Sequence, residues 1–192
     1  STWGDFKNVG GNTTPLGLCY LAGALRRNKV EVCIDDAFVL RRSIAQIVDS
    51  IRNYCPDIIG ISSTSILFED VKGLAKSIKE HFSLPLIIGG PHVTISPEDA
   101  MKSGFFDYGV IGEGEHSIVE IVQYSKGERP LDSIKGIIFR DGKLLKRTGS
   151  RPVVNDLDSL PLPAIDLLPP LGKYSPQAFT YRNRPVGYII TS

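Results

Sequence analysis

Four hydroxyl side chains in succession, Ser62, Ser63, Thr64 and Ser65, close an apolar run that begins at Ile58. A second apolar run, Leu86 to Ile88, ends in Gly89-Gly90-Pro91-His92, and a third, Tyr108 to Ile111, ends in Gly112-Glu113-Gly114. Serine and threonine hydroxyls can donate to phosphate, ribose or base acceptors. Glycine lets a ligand come close to the backbone, and amides at a helix start favour anionic groups. Binding is therefore the chemistry these clusters suggest. No stretch carries a nucleophile, a base and an orienting group together, although separated residues can meet in a fold.

Each cluster also has a plainer reading. His92 could line a pocket or simply cap a loop, and Gly112-Glu113-Gly114-Glu115 could be only a turn before a helix. His81 reads as a solvated helix end and His116 as a first-turn residue, with no metal-ligand spacing between them. Asp35-Asp36 could meet a ribose, but no Gly-x-Gly-x-x-Gly accompanies it, so a solvated strand end is the preferred reading. Gly10-Gly11 is not followed by Lys-Ser or Lys-Thr and is no phosphate loop. Arg26-Arg27 and Arg41-Arg42 read as solvated faces. Cys19, Cys33 and Cys55 sit among apolar neighbours at wide spacing, which suggests buried free thiols.

The elements that must position the clusters follow from periodicity. Short unbroken apolar runs suit parallel strands covered on both faces. Between Ile61 and Leu86, the residues Val71, Leu74, Ala75 and Ile78 form one helical stripe. A right-handed crossover leaves both strands parallel, so their exits share one edge of the sheet. Ligands of open sheets bind outside that edge.

Upstream, Thr14-Pro15 reads as an N-cap and first helical position, followed by a stripe of Leu18, Leu21, Ala22 and Leu25. Val30, Val32 and Ile34 read as a strand, and Ser43 with Gln46 as a capping box before Ile44, Ile47, Val48 and Ile51. Ser96-Pro97-Glu98-Asp99 reads as another capped start, and Ile118, Val119 and Val122 as the last stripe. Downstream, Ile134–Phe139, Asp141-Gly142 and Leu144-Leu145 suggest a hairpin.

The expected architecture is an α/β domain, a doubly wound, mainly parallel sheet of the flavodoxin-like kind with helices on both faces. The expected divisions are residues 1–130 for that domain, 131–154 for a small hairpin, 155–186 for a proline-rich linker and 187–192 for the first strand of a further unit. A net charge of +1 over 192 residues gives no argument for nucleic acid. No run approaches the roughly 18 apolar residues of a membrane helix, and the polar opening is no signal peptide, so a cytoplasmic setting is expected.

Together these pieces resemble the cobalamin-binding domain that precedes the radical S-adenosylmethionine domain in one large enzyme class. The resemblance rests on TPLGLCYLAGALRR, PDIIGISSTS, LPLIIGGPHVTISPE, DYGVIGEGE and the proline-rich linker running into GYIITS. Porphyrin ester oxidative cyclases and cobalamin-dependent radical methyltransferases share these motifs.

The resemblance implies that Pro15, Leu16, Gly17, Ser62, Ser63, Thr64, Ser65, Gly89, Gly90, Pro91, His92, Gly112, Glu113 and Gly114 surround a cobalamin. In the base-off mode of such domains the nucleotide tail threads into the sheet, and small residues such as Gly89 and Gly90 leave it room. The loop 1–17 would cover the lower corrin face. It carries no histidine at the place where related domains have Asp-x-His-x-x-Gly, so cobalt is expected without a protein histidine ligand. S-adenosylmethionine and a 4Fe-4S cluster would belong to a radical barrel of the same parent chain, since the Cys-x-x-x-Cys-x-x-Cys motif would follow Ser192. The usual strand before the first helix is expected to be absent, with 187–191 a candidate for its slot. A flavin- or nucleotide-binding module, or a non-catalytic interaction domain, remain the alternatives.

Overall fold

The computed structural model describes residues 13–175 and residue 183. Residues 1–12 of the anticipated loop 1–17, the end of the linker and the terminal strand at 187–192 lie outside the described residues.

A five-stranded sheet runs in the order β1 (Ile59–Ser62), β2 (Leu86–Gly89), β3 (Tyr108–Val110), β4 (Ile137–Asp141), β5 (Leu144–Arg147). The first three strands are parallel, with Ile61 opposite Ile88 and Ile88 opposite Gly109. The last two are antiparallel, so the hairpin is continuous with the sheet through the pairing of Gly109 with Ile138. Pairing of Asp141 with Leu144 leaves Gly142 and Lys143 as the loop. Gly142, at φ 60°, stands first of the two, the arrangement of a II′ turn. Asp-Gly was expected to form the turn itself; instead the aspartate ends β4.

Six helices surround the sheet among the described residues: α1 (Leu16–Arg27), α2 (Ile44–Tyr54), α3 (Phe68–His81), α4 (Pro91–Ile95), α5 (Pro97–Lys102) and α6 (Glu115–Ser125). One face packs on α2 to α5: Leu86, Ile88, Val93, Ala100 and Met101 are fully buried there, with Phe68, Ala75 and Ile78 from α3. The other face packs on α6, through Ile87, Val110 and Ile121 joined by Ile134, Ile137 and Phe139. Leu21 of α1 stands beside Gly114 at the start of α6, which puts α1 on this second face.

Ser43 caps α2 as the sequence indicates: its hydroxyl accepts from the Gln46 amide at 3.3 Å, and Gln46 Oε1 accepts from the Ser43 amide at 2.9 Å. Other expectations are corrected. Thr14 does not cap α1 with its side chain; Pro15 occupies the cap position, and the Thr14 carbonyl accepts from the Leu16 amide. Ser96 likewise makes no side-chain cap bond at α5.

Residues 30–34 are not a paired strand among the described residues. Their exposure alternates as a strand's would, but the Val30 amide closes α1 by bonding the Leu25 carbonyl. Of the three thiols, only Cys19 is buried, and burial holds it above its ordinary pKa; Cys33 and Cys55 are exposed. Cys55 ends α2 at φ 53° with its amide on Ile51, a place set by the chain reversal rather than by apolar neighbours.

The buried stripe of α1 is Leu16, Cys19 and Ala22 to Ala24, rotated from the anticipated one. A strap formed by the proline-rich segment covers this side. The Ala164 amide bonds the Cys19 carbonyl at 2.9 Å, Arg26 pairs with Asp166, and the Leu162 carbonyl lies where a side chain at Gly23 would be. The Tyr174 hydroxyl donates to Asp36 at 2.9 Å.

Candidate functional site

Parallel pairing of β1, β2 and β3 brings their exits to one edge, and the first two exits are knitted together. The Ser63 amide donates to the Gly89 carbonyl at 3.0 Å, and the His92 amide donates to the Ser63 carbonyl at 3.2 Å. The third exit joins through Thr94, whose hydroxyl donates to the Gly90 carbonyl at 3.2 Å and accepts from the Gly112 amide at 3.0 Å. Ser62 to Ser65, Gly89 to His92 and Gly112 to Gly114 thus form one surface. Pro15, Leu16 and Gly17 belong to the cap and first turn of α1, one turn before Leu21 and its contact with Gly114. Among the described residues no hydrogen bond joins these three to the strand exits.

The glycines of the pair differ. Gly90 has φ 95°, and a Cβ there would meet Ser62 Oγ and the Ser63 carbonyl oxygen, each at 2.8 Å. The fold itself requires that glycine, because the first exit loop fills the space beside it. Gly89 is open: among the described residues a Cβ would touch only Val110, at 3.8 Å. By strand alternation Gly89 shares the α1/α6 face with Ile87, and Gly60 and Ser62 share it with Ile58. Gly60 is exposed, with nothing among the described residues within 4 Å of its Cβ position. Gly60, Gly89 and the hydroxyl of Ser62 therefore line a bare trough at the carboxyl half of this face.

Hydroxyl chemistry along the edge is uneven. Ser63 is buried and donates to the Thr64 carbonyl at 2.9 Å. Ser65 Oγ lies 3.2 Å from His92 Nδ1. Ser62 and Thr64 are exposed, with no side-chain hydrogen bond among the described residues. His92 is 8% exposed, its ring stacked on Phe68 with centroids 3.9 Å apart. Its Nε2 is enclosed and lacks a hydrogen-bond partner, with Asp99 Oδ2 at 3.8 Å. The ring is thus turned into the protein rather than presented to a ligand metal. Among the described residues no three His, Cys, Asp or Glu side chains converge as a metal site.

Sequence reasoning overlooked Gly60, Phe68, Thr94 and the apolar pair Ile66 and Ile95, each 75% exposed in the helical turns just after the first and second exits. Gly60 was detectable from its spacing of two before Ser62. Ile66 and Ile95 carried a signal as large apolar residues next to the hydroxyl and glycine clusters of the exits. Phe68 and Thr94 act through contacts distant in sequence and left no such mark.

An edge of hydroxyls and glycines above a bare trough on a parallel sheet defines a cofactor-carrying α/β domain. Residues 3–122 match the B12 binding domain, and the chain belongs to that family. Cobalamin binding is accordingly its function, and the solved structures it is similar to include a cobalamin-dependent S-adenosylmethionine radical enzyme.

Among curated proteins it is 34% identical over 191 residues to an uncharacterized methyltransferase of Pyrococcus horikoshii, covering 97% of this chain and 40% of that protein. It is 28% identical over 148 residues to the anaerobic magnesium-protoporphyrin IX monomethyl ester cyclase of Synechocystis, covering 75% of this chain and 30% of the cyclase. The chain therefore spans well under half of either relative's length. Among solved structures it resembles the cobalamin-dependent S-adenosylmethionine radical enzyme OxsB with aqua-cobalamin and S-adenosylmethionine bound. That match has a TM-score of 0.69 and 25% identity, covering 83% of this chain and 22% of OxsB.

Proposed function

We propose that the shared exit edge holds the corrin of cobalamin base-off, with the nucleotide tail lying in the trough over Gly60 and Gly89. The observation that carries this reading is the open space over Gly60 and Gly89 among the described residues, on strands packed on their other face, with the hydroxyls of Ser62 and Thr64 beside it. Ser62, Thr64, Ser65, Gly89, and Gly112 to Gly114 would contact the cofactor, buried Ser63 would hold the first exit through its amide and hydroxyl, and Pro15, Leu16 and Gly17 would border the site from α1. Gly90 would keep the first two exits in register. Pro91 and His92 would act from behind. The inward turn of the His92 ring supports cobalt without a protein histidine ligand.

Cobalamin supplies a cobalt centre able to carry a methyl group, and the module would present it to a radical barrel of a longer parent chain. That barrel would hold S-adenosylmethionine and a 4Fe-4S cluster, and the parent would act as a methyltransferase or an oxidative cyclase. The divisions at residues 130, 154 and 186 follow from the same reading. A cytoplasmic setting agrees with the unpaired Cys19, Cys33 and Cys55, and no helix among the described residues is long and apolar enough to cross a membrane.

Titration with hydroxocobalamin, followed by equilibrium dialysis and the visible spectrum, tests the reading. Saturable binding with a base-off spectrum is expected, lost in Gly89→Leu. Binding that survives Gly89→Leu would place the tail elsewhere, and a folded chain that binds flavin but no corrinoid would overturn the assignment. Gly89 is the position to alter because a side chain at Gly90 would disturb the fold as well.

A further inference from the structure

The buried face of His92 says how one hydroxyl of the edge is polarised. A neutral imidazole has one donor and one acceptor nitrogen. At Nε2 there is no hydrogen-bond partner, and the nearest charge is the Asp99 carboxylate, 3.8 Å away and itself 3.3 Å from Lys102. A proton on Nε2 turns the positive end of the N–H dipole toward that carboxylate. The other tautomer would aim the lone pair of this enclosed nitrogen at the carboxylate and leave the atom without any favourable partner. The proton therefore belongs on Nε2, and Nδ1 is the acceptor.

The group opposite Nδ1 is Ser65 Oγ, at 3.2 Å, so the serine hydroxyl donates to the ring. A hydroxyl has one donor and two acceptor lone pairs. With its proton committed to His92, exposed Ser65 offers the solvent side only lone pairs. Its neighbours differ: Thr94 uses both donor and acceptor internally, and Ser63 is buried.

We propose that His92 fixes Ser65 as an acceptor-only position, selecting a carboxamide N–H of the corrin periphery and disfavouring a carboxylate there. The proposal rests on the cobalamin reading. His92 is a positioning residue; Ser65 is the group that touches the ligand. An acceptor meeting a carboxylate oxygen leaves both without a donor, whereas a primary amide supplies one.

Two measurements test this. Long-range 15N–1H correlation on the histidine-labelled chain reads the His92 tautomer without any ligand; unprotonated Nδ1 is expected, and protonated Nδ1 would overturn the proposal. Dialysis with cobalamin and with its separate side-chain monocarboxylates then reads the selection. Wild type is expected to prefer the amide at one position of the ring. Ser65→Ala should weaken cobalamin about three- to tenfold and abolish that preference.

His92→Phe, which keeps a ring on Phe68 but removes the acceptor, should abolish the preference as Ser65→Ala does, with a smaller loss of cobalamin affinity because the freed hydroxyl still accepts. His92→Asn, which can return an oxygen near the Nδ1 position, should restore the preference. A Ser65→Ala chain with unchanged affinity and unchanged preference would overturn the inference while leaving cobalamin binding intact. A folded chain with the expected tautomer that binds no corrinoid would instead overturn the cofactor reading, and the inference with it.

Discussion

The two faces of the sheet treat the same strands in opposite ways. Toward α2 to α5, β2 sends Leu86 and Ile88 into a core where Val93, Ala100 and Met101 are also fully buried. Toward α1 and α6, the same stretch of strand ends in Gly89, and its neighbour β1 carries Gly60. The contrast is confined to the carboxyl half, since Ile87 on the second face is buried and Ile58 half-buried. Alternation alone thus separates core from open space: one residue along the strand passes from buried Ile88 to Gly89, where the proposed cofactor tail would lie.

The sharpest way to break that comparison is to exchange the two kinds of residue. Ile88→Ala should cost about 2–5 kcal/mol of stability, measured by urea unfolding, with cobalamin affinity of the folded protein unchanged. Gly89→Leu should do the reverse: its urea midpoint should stay near wild type while affinity falls about ten- to a hundredfold, because the added side chain overfills the trough. Gly90→Ala belongs with the core despite its neighbour. Its φ of 95° and the contact with Ser62 and Ser63 should lower stability by roughly 1–3 kcal/mol.

A smaller effect comes from Tyr108 on the second face, whose phenol burial, then Tyr124 and Asp107, push up to about 12 from an ordinary 10. The unfolded chain releases this proton first, so it binds fewer protons than the native state across that interval. Stability should be complete below pH 10 and decline as pH rises toward 12. Tyr108→Phe should flatten that decline in alkaline melting curves. The smallest effect is expected from Arg26→Ala. The arginine holds the Asp166 carboxyl below its usual range, but the pair is exposed, and the melting temperature should scarcely move.

How far these properties were legible differs by scale. Apolar runs revealed the parallel strands, and the serine–threonine and glycine clusters revealed their shared edge, because a strand exit is a local feature. The capping box at Ser43 was readable for the same reason. Non-local arrangements were not. A period-two reading of Val30, Val32 and Ile34 indicates an extended chain but cannot say whether a partner stands alongside. The stripe of α1 was misplaced because the strap that covers it comes about 140 positions later, as the pairing of Arg26 with Asp166 shows. Gly89 and Gly90 read alike in sequence, and only the position of the first exit loop separates the open space at one from the space the chain fills itself at the other.

The strap carries a consequence for digestion. Arg26 and Arg27 end α1 as consecutive tryptic sites, yet Arg26 is held by Asp166 and Arg27 donates to the Ser159 carbonyl. A protease must draw a susceptible arginine into an extended loop, and here it would have to displace the strap before reaching either. Lys173 stands exposed on the strap itself. Cleavage should therefore be sequential, with Lys173 cut before α1 yields, so the lag between the two products would time how often the strap lifts.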